Sequence, residues 1–245
     1  MSIVVAALIG LVAGISGTLL GGLLICYFGS SLSQQSFLLG ISGGIMAAVV
    51  LFDLWPEALH HGSILSTMVG VFFGWLLIVK FELALNLIPG YRRRNYARFV
   101  KLGVLLGVGI GSHNFPEGVA LGTTYAVSRN VWDWLGLALL MAAHNIPEGM
   151  VMASAFKLGK VRFTKIIFLL FAVELPMAVG GSCGALLGGI SGVMVSTSLG
   201  FAGGAMLILV FRDLLPLAKQ LAGFFWVGSG FGLGLLLGTA LVKLI

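Results

Sequence analysis

Stretches of about 20 mostly apolar residues, the length a helix needs to cross a hydrocarbon core, follow one another along the whole chain. Their approximate limits are 3 to 26, 36 to 59, 63 to 87, 102 to 128, 131 to 156, 165 to 189, 193 to 219 and 222 to 244. Connections are short except for residues 88 to 101, which leaves no room for a soluble domain. The chain therefore reads as an all-α integral membrane protein of eight transmembrane helices, one membrane domain over residues 1–245. Composition agrees: 59% of residues are hydrophobic and 9% charged, against about 25% charged in an average soluble domain. No small-residue cleavage site follows a charged start and a short apolar core, so the first stretch is expected to stay as a span.

The basic residues set the orientation when counted near span ends. Lys80, Arg92, Arg93, Arg94, Arg98, Lys101, Lys157, Lys160, Arg162, Lys165, Arg212 and Lys219 gather after spans 3, 5 and 7, while Arg129 and Lys243 lie on the other side. Twelve against two of the 14 predicts both termini outside the cytosol. Orientation alone accounts for the Arg92 to Arg94 run, and the net charge of +6 offers no support for nucleic-acid binding. Cys26 and Cys183 cannot form a disulfide framework and read as small apolar residues within spans.

Within this apolar background one polar stretch is written twice: His113-Asn114-Phe115-Pro116-Glu117-Gly118 and His144-Asn145-Ile146-Pro147-Glu148-Gly149. Helical residues four apart share a face, so each His lies over the Glu of its own copy, with the Asn three residues from that Glu. Proline cannot donate its helix bond and clashes with the carbonyl four residues back, which predicts local irregularity and freed carbonyls at Ser112 and Ala143. An ionised carboxylate at mid-membrane is unfavourable by roughly 2.5–3.5 kcal/mol even on the lenient scale, so two such motifs demand compensation. A divalent cation compensates both, and imidazole beside carboxylate suits zinc or a neighbouring first-row metal better than calcium or magnesium. The competing account is interhelical hydrogen bonding without a metal.

Span 6 adds Glu174, followed by Pro176, a third deep carboxylate expected to act as a ligand or to handle protons. Span 2 ends in Asp53-Leu54-Trp55-Pro56-Glu57-Ala58-Leu59-His60-His61, whose spacing can gather Asp53, Glu57, His60 and His61 at one helix end. These residues read either as a metal-attracting vestibule or as an ordinary polar helix end. Span 7 repeats part of the string as Asp213-Leu214-Leu215-Pro216-Leu217-Ala218, near the cytosolic end. The parallel suggests inverted three-helix halves around a central helix pair, spans 4 and 5, as in many transporters. Three glycine ridges, Gly103/Gly107/Gly111, Gly180/Gly184/Gly188 and Gly230/Gly234/Gly238, predict close helix packing.

The paired HNFPEG and HNIPEG motifs, the Glu of span 6, the eight spans and the loop after span 3 together resemble the ZIP family of metal-ion transporters, above all its bacterial zinc-uptake branch. The resemblance covers essentially the whole chain and is most specific in spans 4 and 5. It implies a transport domain with a binuclear mid-membrane site. One metal would be held by His113, Glu117 and Glu148 with His144 close by. The second would be held by Asn114, Asn145 and Glu174, with Glu117 and Glu148 bridging. Some relatives have Asp where this chain has Asn145, which makes the second site here less anionic. The loop after span 3, His-rich in many relatives, contains no His.

The leading expectation is a carrier bringing zinc, or iron, manganese or cadmium, into the cytosol across a bacterial inner membrane. Its partners would be the divalent ion as bound substrate and the lipid bilayer, and a homodimer is an assembly it could form. A selective pore could share the same ligands. An intramembrane metalloenzyme would need a substrate cleft and a catalytic motif, and each His here is followed by Asn rather than by the Glu of HExxH.

Overall fold

A computed structural model describes residues 2–28, 31–87, 95–127, 130–187 and 191–243, and every regular element among the described residues is helical. The first is α1 (Ile3–Phe28). Next come α2 (Leu32–Val49) and α3 (Trp55–His61), joined through a π-helical turn at Val50–Leu54, and then α4 (Ile64–Asn86). The long helices α5 (Asn95–Val127) and α6 (Val131–Leu158) follow. A two-residue turn separates α7 (Phe163–Ala172) from α8 (Leu175–Leu187). A second π turn, Leu209–Leu214, joins α9 (Gly192–Ile208) to α10 (Leu215–Ala222), and α11 (Phe224–Lys243) completes the bundle.

Among the described residues, seven stretches are long and apolar enough to cross a membrane: Ile3–Tyr27, Leu32–His61, Ile64–Asn86, Trp134–Leu158, Phe163–Leu186, Gly192–Ala222 and Phe224–Lys243. Helix α5 is also long enough at 33 residues, but Arg98, Lys101 and the polar HNFPEG motif dilute its apolar character. The protein is a multi-pass membrane protein. The boundaries lie close to those expected, with one correction: α5 begins at Asn95, so residues 95–101, expected in a loop, are helical. The expected Arg92 to Arg94 run, together with Arg129 and Gly188, lies outside the described residues.

Helices pair most extensively as α1 with α6, α5 with α8, α2 with α11 and α4 with α9. Small residues set these pairings. A Cβ built at Gly234 would stand 2.1 Å from the Ile41 carbonyl oxygen, and one at Gly230 would stand 2.2 Å from that of Phe37. Likewise a Cβ at Gly180 would stand 2.1 Å from the Phe115 carbonyl oxygen, so these ridges are backbone-contact surfaces. The span 4 ridge differs. Gly103 faces the Phe156 ring and Gly111 meets nothing nearer than 3.6 Å, because this ridge lines an apolar groove with Met152 and Pro176.

The expected irregularity at Pro116 and Pro147 is not assigned as a break: α5 and α6 run as α-helix through both. The irregularities lie instead beside the other intramembrane prolines. Trp55, before Pro56, donates its N–H to the Val50 carbonyl five residues back, and Leu215, before Pro216, does the same to Val210. Each wide turn absorbs the peptide that proline cannot bond in α register. Asp53 lies in one such turn and Asp213 in the other. Cys26 and Cys183 are unpaired and half-buried.

Candidate metal site

The two HNxPEG copies lie side by side on α5 and α6, and the last residue of each draws in a further helix. A Cβ at Gly118 would fall 2.1 Å from the Met177 carbonyl oxygen of α8, and one at Gly149 would fall 2.0 Å from the Thr18 carbonyl oxygen of α1. Helices α1 and α8 therefore pack directly against the motifs. His113, Asn114, Glu117, His144, Asn145, Glu148 and Glu174 are all buried.

Within this box the motifs interlock. His113 Nε2 stands 2.8 Å from Glu148 Oε1 and 4.0 Å from Glu117 Oε1, while His144 Nε2 stands 3.1 Å from Glu117 Oε1. Each histidine thus meets the glutamate of the other copy. The i to i+4 spacing does bring His113 and Glu117 together, but the shorter contact crosses between helices. His113 Nδ1 lies 3.1 Å from the Gly109 carbonyl oxygen, which orients the ring from behind. The remaining polar atoms are unsatisfied: Glu117 Oε2, Glu148 Oε2, Asn114 Oδ1 and both side-chain polar atoms of Asn145 are buried without a hydrogen-bond partner. Buried acceptors rarely remain so without a water or ion to complete them.

Glu174 enters the same site from the turn between α7 and α8. Its N–H bonds to Phe171, and Met177 bonds back to Glu174 rather than to Val173. The Val173 carbonyl so released accepts from Asn114 Nδ2 at 3.0 Å, and the same amide donates to Glu174 Oε2 at 2.9 Å. Thr18 Oγ1 donates to Glu174 Oε1 at 2.5 Å. Gly14 leaves the space for that carboxylate, since a Cβ there would lie 2.1 Å from Oε2. Neither Thr18 nor Gly14 stands out in the sequence, because nothing in span 1 resembles a motif.

Glu57, His60 and His61 form a separate cluster whose ligand atoms all lie within 4.8 Å of one another, exposed at the end of α3. Asp53, one turn earlier, lies within electrostatic reach of Glu57 on one side and of His144 and Glu117 on the other. Asp213 is distant from this cluster, at the opposite end of the bundle. There it lines a cavity of about 230 Å³ with Glu82, Arg98, Lys101 and Arg212. Glu82 accepts from Lys101 Nζ at 2.7 Å and also pairs with Arg212. Glu82, which no motif in the sequence marks out, thereby draws α4, α5 and the second π turn together.

The bundle of membrane-length helices encloses a buried imidazole–carboxylate centre, a donor set that suits a divalent transition-metal cation. Comparison with curated proteins specifies the class further. The chain is 29% identical to the zinc transporter ZupT of Salmonella arizonae over 197 residues, covering 76% of each chain. It is 28% identical, with the same coverage, to the zinc transporter ZupT of Salmonella newport and to that of Salmonella schwarzengrund. No protein-family profile matches the chain. The chain is thus similar, over three quarters of its length, to bacterial zinc transporters, in agreement with the resemblance carried by its two HNxPEG motifs.

Proposed function

We propose that the chain is a carrier that moves zinc, and at lower preference iron, manganese or cadmium, into the cytosol through the centre formed by His113, Glu117, His144 and Glu148. The carrying observation is the set of buried oxygens without partners, Glu117 Oε2, Glu148 Oε2, Asn114 Oδ1 and Asn145 Oδ1, in residues of one site. A divalent ion satisfies such acceptors and neutralises two carboxylates at once. The imidazoles shift the preference towards zinc. The curated relatives are transporters by name, and transport rather than catalysis is the activity.

In this reading the chain has eight spans, α5 supplying the eighth, with both termini outside the cytosol in a bacterial inner membrane. Inverted three-helix halves surround α5 and α6. Helix pairing supports the inversion: exchanging the first three spans for the last three, and α5 for α6, turns the α1–α6 pair into α8–α5 and the α2–α11 pair into α9–α4. The matched π turns at Asp53 and Asp213 support it too. A second metal would use Asn114, Asn145 and Glu174, with Glu117 and Glu148 bridging. Asp53 would lie on the entry side and Asp213 on the exit side.

Zinc entry into proteoliposomes loaded with a zinc-sensitive dye tests the proposal. A carrier gives saturable uptake with a steep temperature dependence, whereas a pore gives flux that rises with concentration and depends weakly on temperature. Near-parental flux through Glu117→Gln would overturn the assignment of the centre.

A further inference from the structure

We propose that Glu57, His60 and His61 form a distinct metal-capture site, which holds one zinc or similar divalent ion at the Lys/Arg-poor mouth of the bundle before it reaches Asp53. The capture role rests on the transport reading above; the binding itself does not. Residues i, i+3 and i+4 of one helix share a face, and here their ligand atoms converge within 4.8 Å. His61 Nε2 lies 2.8 Å from Glu57 Oε1, and the His60 and His61 rings meet edge to face at 5.4 Å. Two imidazoles and a carboxylate with the fourth position left to water make an open zinc site. Openness suits capture, since a fourth protein ligand would close the site and slow release.

The helix end that carries these groups is held in place. Gly62 and Ser63 turn the chain immediately after His61, and Ser63 caps α4 through a reciprocal pair of bonds with Ser66. Ser196 of α9 hydrogen-bonds Ser66 at 2.8 Å and Thr67 at 3.0 Å beneath that turn. A Cβ at Gly192 would lie 2.1 Å from the His61 carbonyl oxygen, so α9 packs directly on the backbone that presents the ligands. Asp53 lies one helical turn from Glu57 and within reach of His144 and Glu117, which gives a captured ion an anionic step towards the centre.

Equilibrium zinc binding and the visible absorption of bound cobalt, measured on purified Glu117→Gln/Glu148→Gln protein, test the site without the centre. The expected result is one remaining equivalent with a low-coordinate cobalt spectrum, lost when His60→Asn and His61→Asn are added. No binding in the Gln background, or binding unchanged by the His substitutions, would overturn the site. With the centre intact, His60→Asn/His61→Asn should raise the half-saturating zinc for uptake about threefold or more while keeping the maximal rate, as expected when binding outside the rate-limiting step is removed. An unchanged half-saturation would overturn the capture role. If the parent moves no zinc yet the binding results hold, the transport reading fails and the site stands.

Discussion

His113 stands nearer to Glu148 of the other motif than to Glu117 of its own, 2.8 Å against 4.0 Å. The duplicated motif is thus one interleaved centre rather than two adjacent ones, and neither copy can be removed without leaving an unpartnered group from the other. A buried charge left alone is more costly than the pair.

Glu117→Gln or Glu148→Gln should reduce zinc flux in proteoliposomes to background, because each substitution keeps the shape but removes one of the two charges that offset a divalent ion. The protein should still insert, because the amide oxygen of Gln can keep a hydrogen bond to the histidine that the carboxylate met. In a double-mutant cycle on zinc binding, His113→Ala and Glu148→Gln should couple by roughly 0.5–3 kcal/mol. The cycle of His113→Ala with Glu117→Gln should couple less. Equal coupling in the two cycles would contradict the crossed arrangement.

Gly149→Ala places a methyl 2.0 Å from the Thr18 carbonyl oxygen, a backbone atom that can yield only if α1 moves away from α6. Destabilisation of about 1–3 kcal/mol is expected for such overpacking. Gly136→Ala on the same helix meets nothing within 4 Å, so it should be neutral or stabilising, in line with the higher helix propensity of alanine. Thermal unfolding of the two variants in detergent checks the contrast.

Much of this centre was legible in the sequence because a polar group in an apolar run has few explanations. His113, Glu117, His144, Glu148 and Glu174 all stand out in this way, and all are buried together. The pairing across copies was not legible, because periodicity describes one helix and says nothing about which neighbour lies nearest. Thr18 and Gly14 escaped because threonine and glycine are ordinary residues in membrane helices and acquire meaning only beside Glu174. Proline marked two different outcomes: at Pro116 and Pro147 the missing N–H leaves the Ser112 and Ala143 carbonyls without their helix donor but does not break the helix. The helix runs on through Pro116 and Pro147, whereas Pro56 and Pro216 each follow a π turn that carries an Asp.

The orientation can be tested by thiol labelling of intact cells. Ser2→Cys should react with an impermeant reagent and Asn95→Cys should not, each in a background lacking Cys26 and Cys183. The basis is the positive-inside rule. In the structure Arg98, Lys101 and Arg212 lie around one cavity at one end of the bundle. Lys157 donates to the Ile25 and Cys26 carbonyl oxygens in the last turn of α1. Labelling at 95 but not at 2 would invert the topology, and with it the direction assigned to Asp53 and Asp213.

Glu174 should tune transport where Glu117 and Glu148 permit it. Its carboxylate is already occupied, by Thr18 on one oxygen and Asn114 on the other, while Glu117 and Glu148 each keep one oxygen free of any hydrogen bond. An ion entering the centre therefore finds the two motif carboxylates ready, and must displace hydrogen bonds to engage Glu174. Charge points the same way. Two divalent ions bring four positive charges against the three carboxylates Glu117, Glu148 and Glu174, because positions 114 and 145 are both Asn. The second ion should bind more weakly than the first. Glu174→Gln keeps a side chain able to bond Thr18 and Asn114 but removes the only carboxylate that the second site does not share. That variant should retain measurable zinc uptake and bind close to one zinc, where the parent binds up to two at high metal. Equilibrium binding and flux on purified parent and variant decide the matter. If Glu174→Gln abolishes the tighter site, or leaves the stoichiometry of two intact, the two sites do not divide the work in this way.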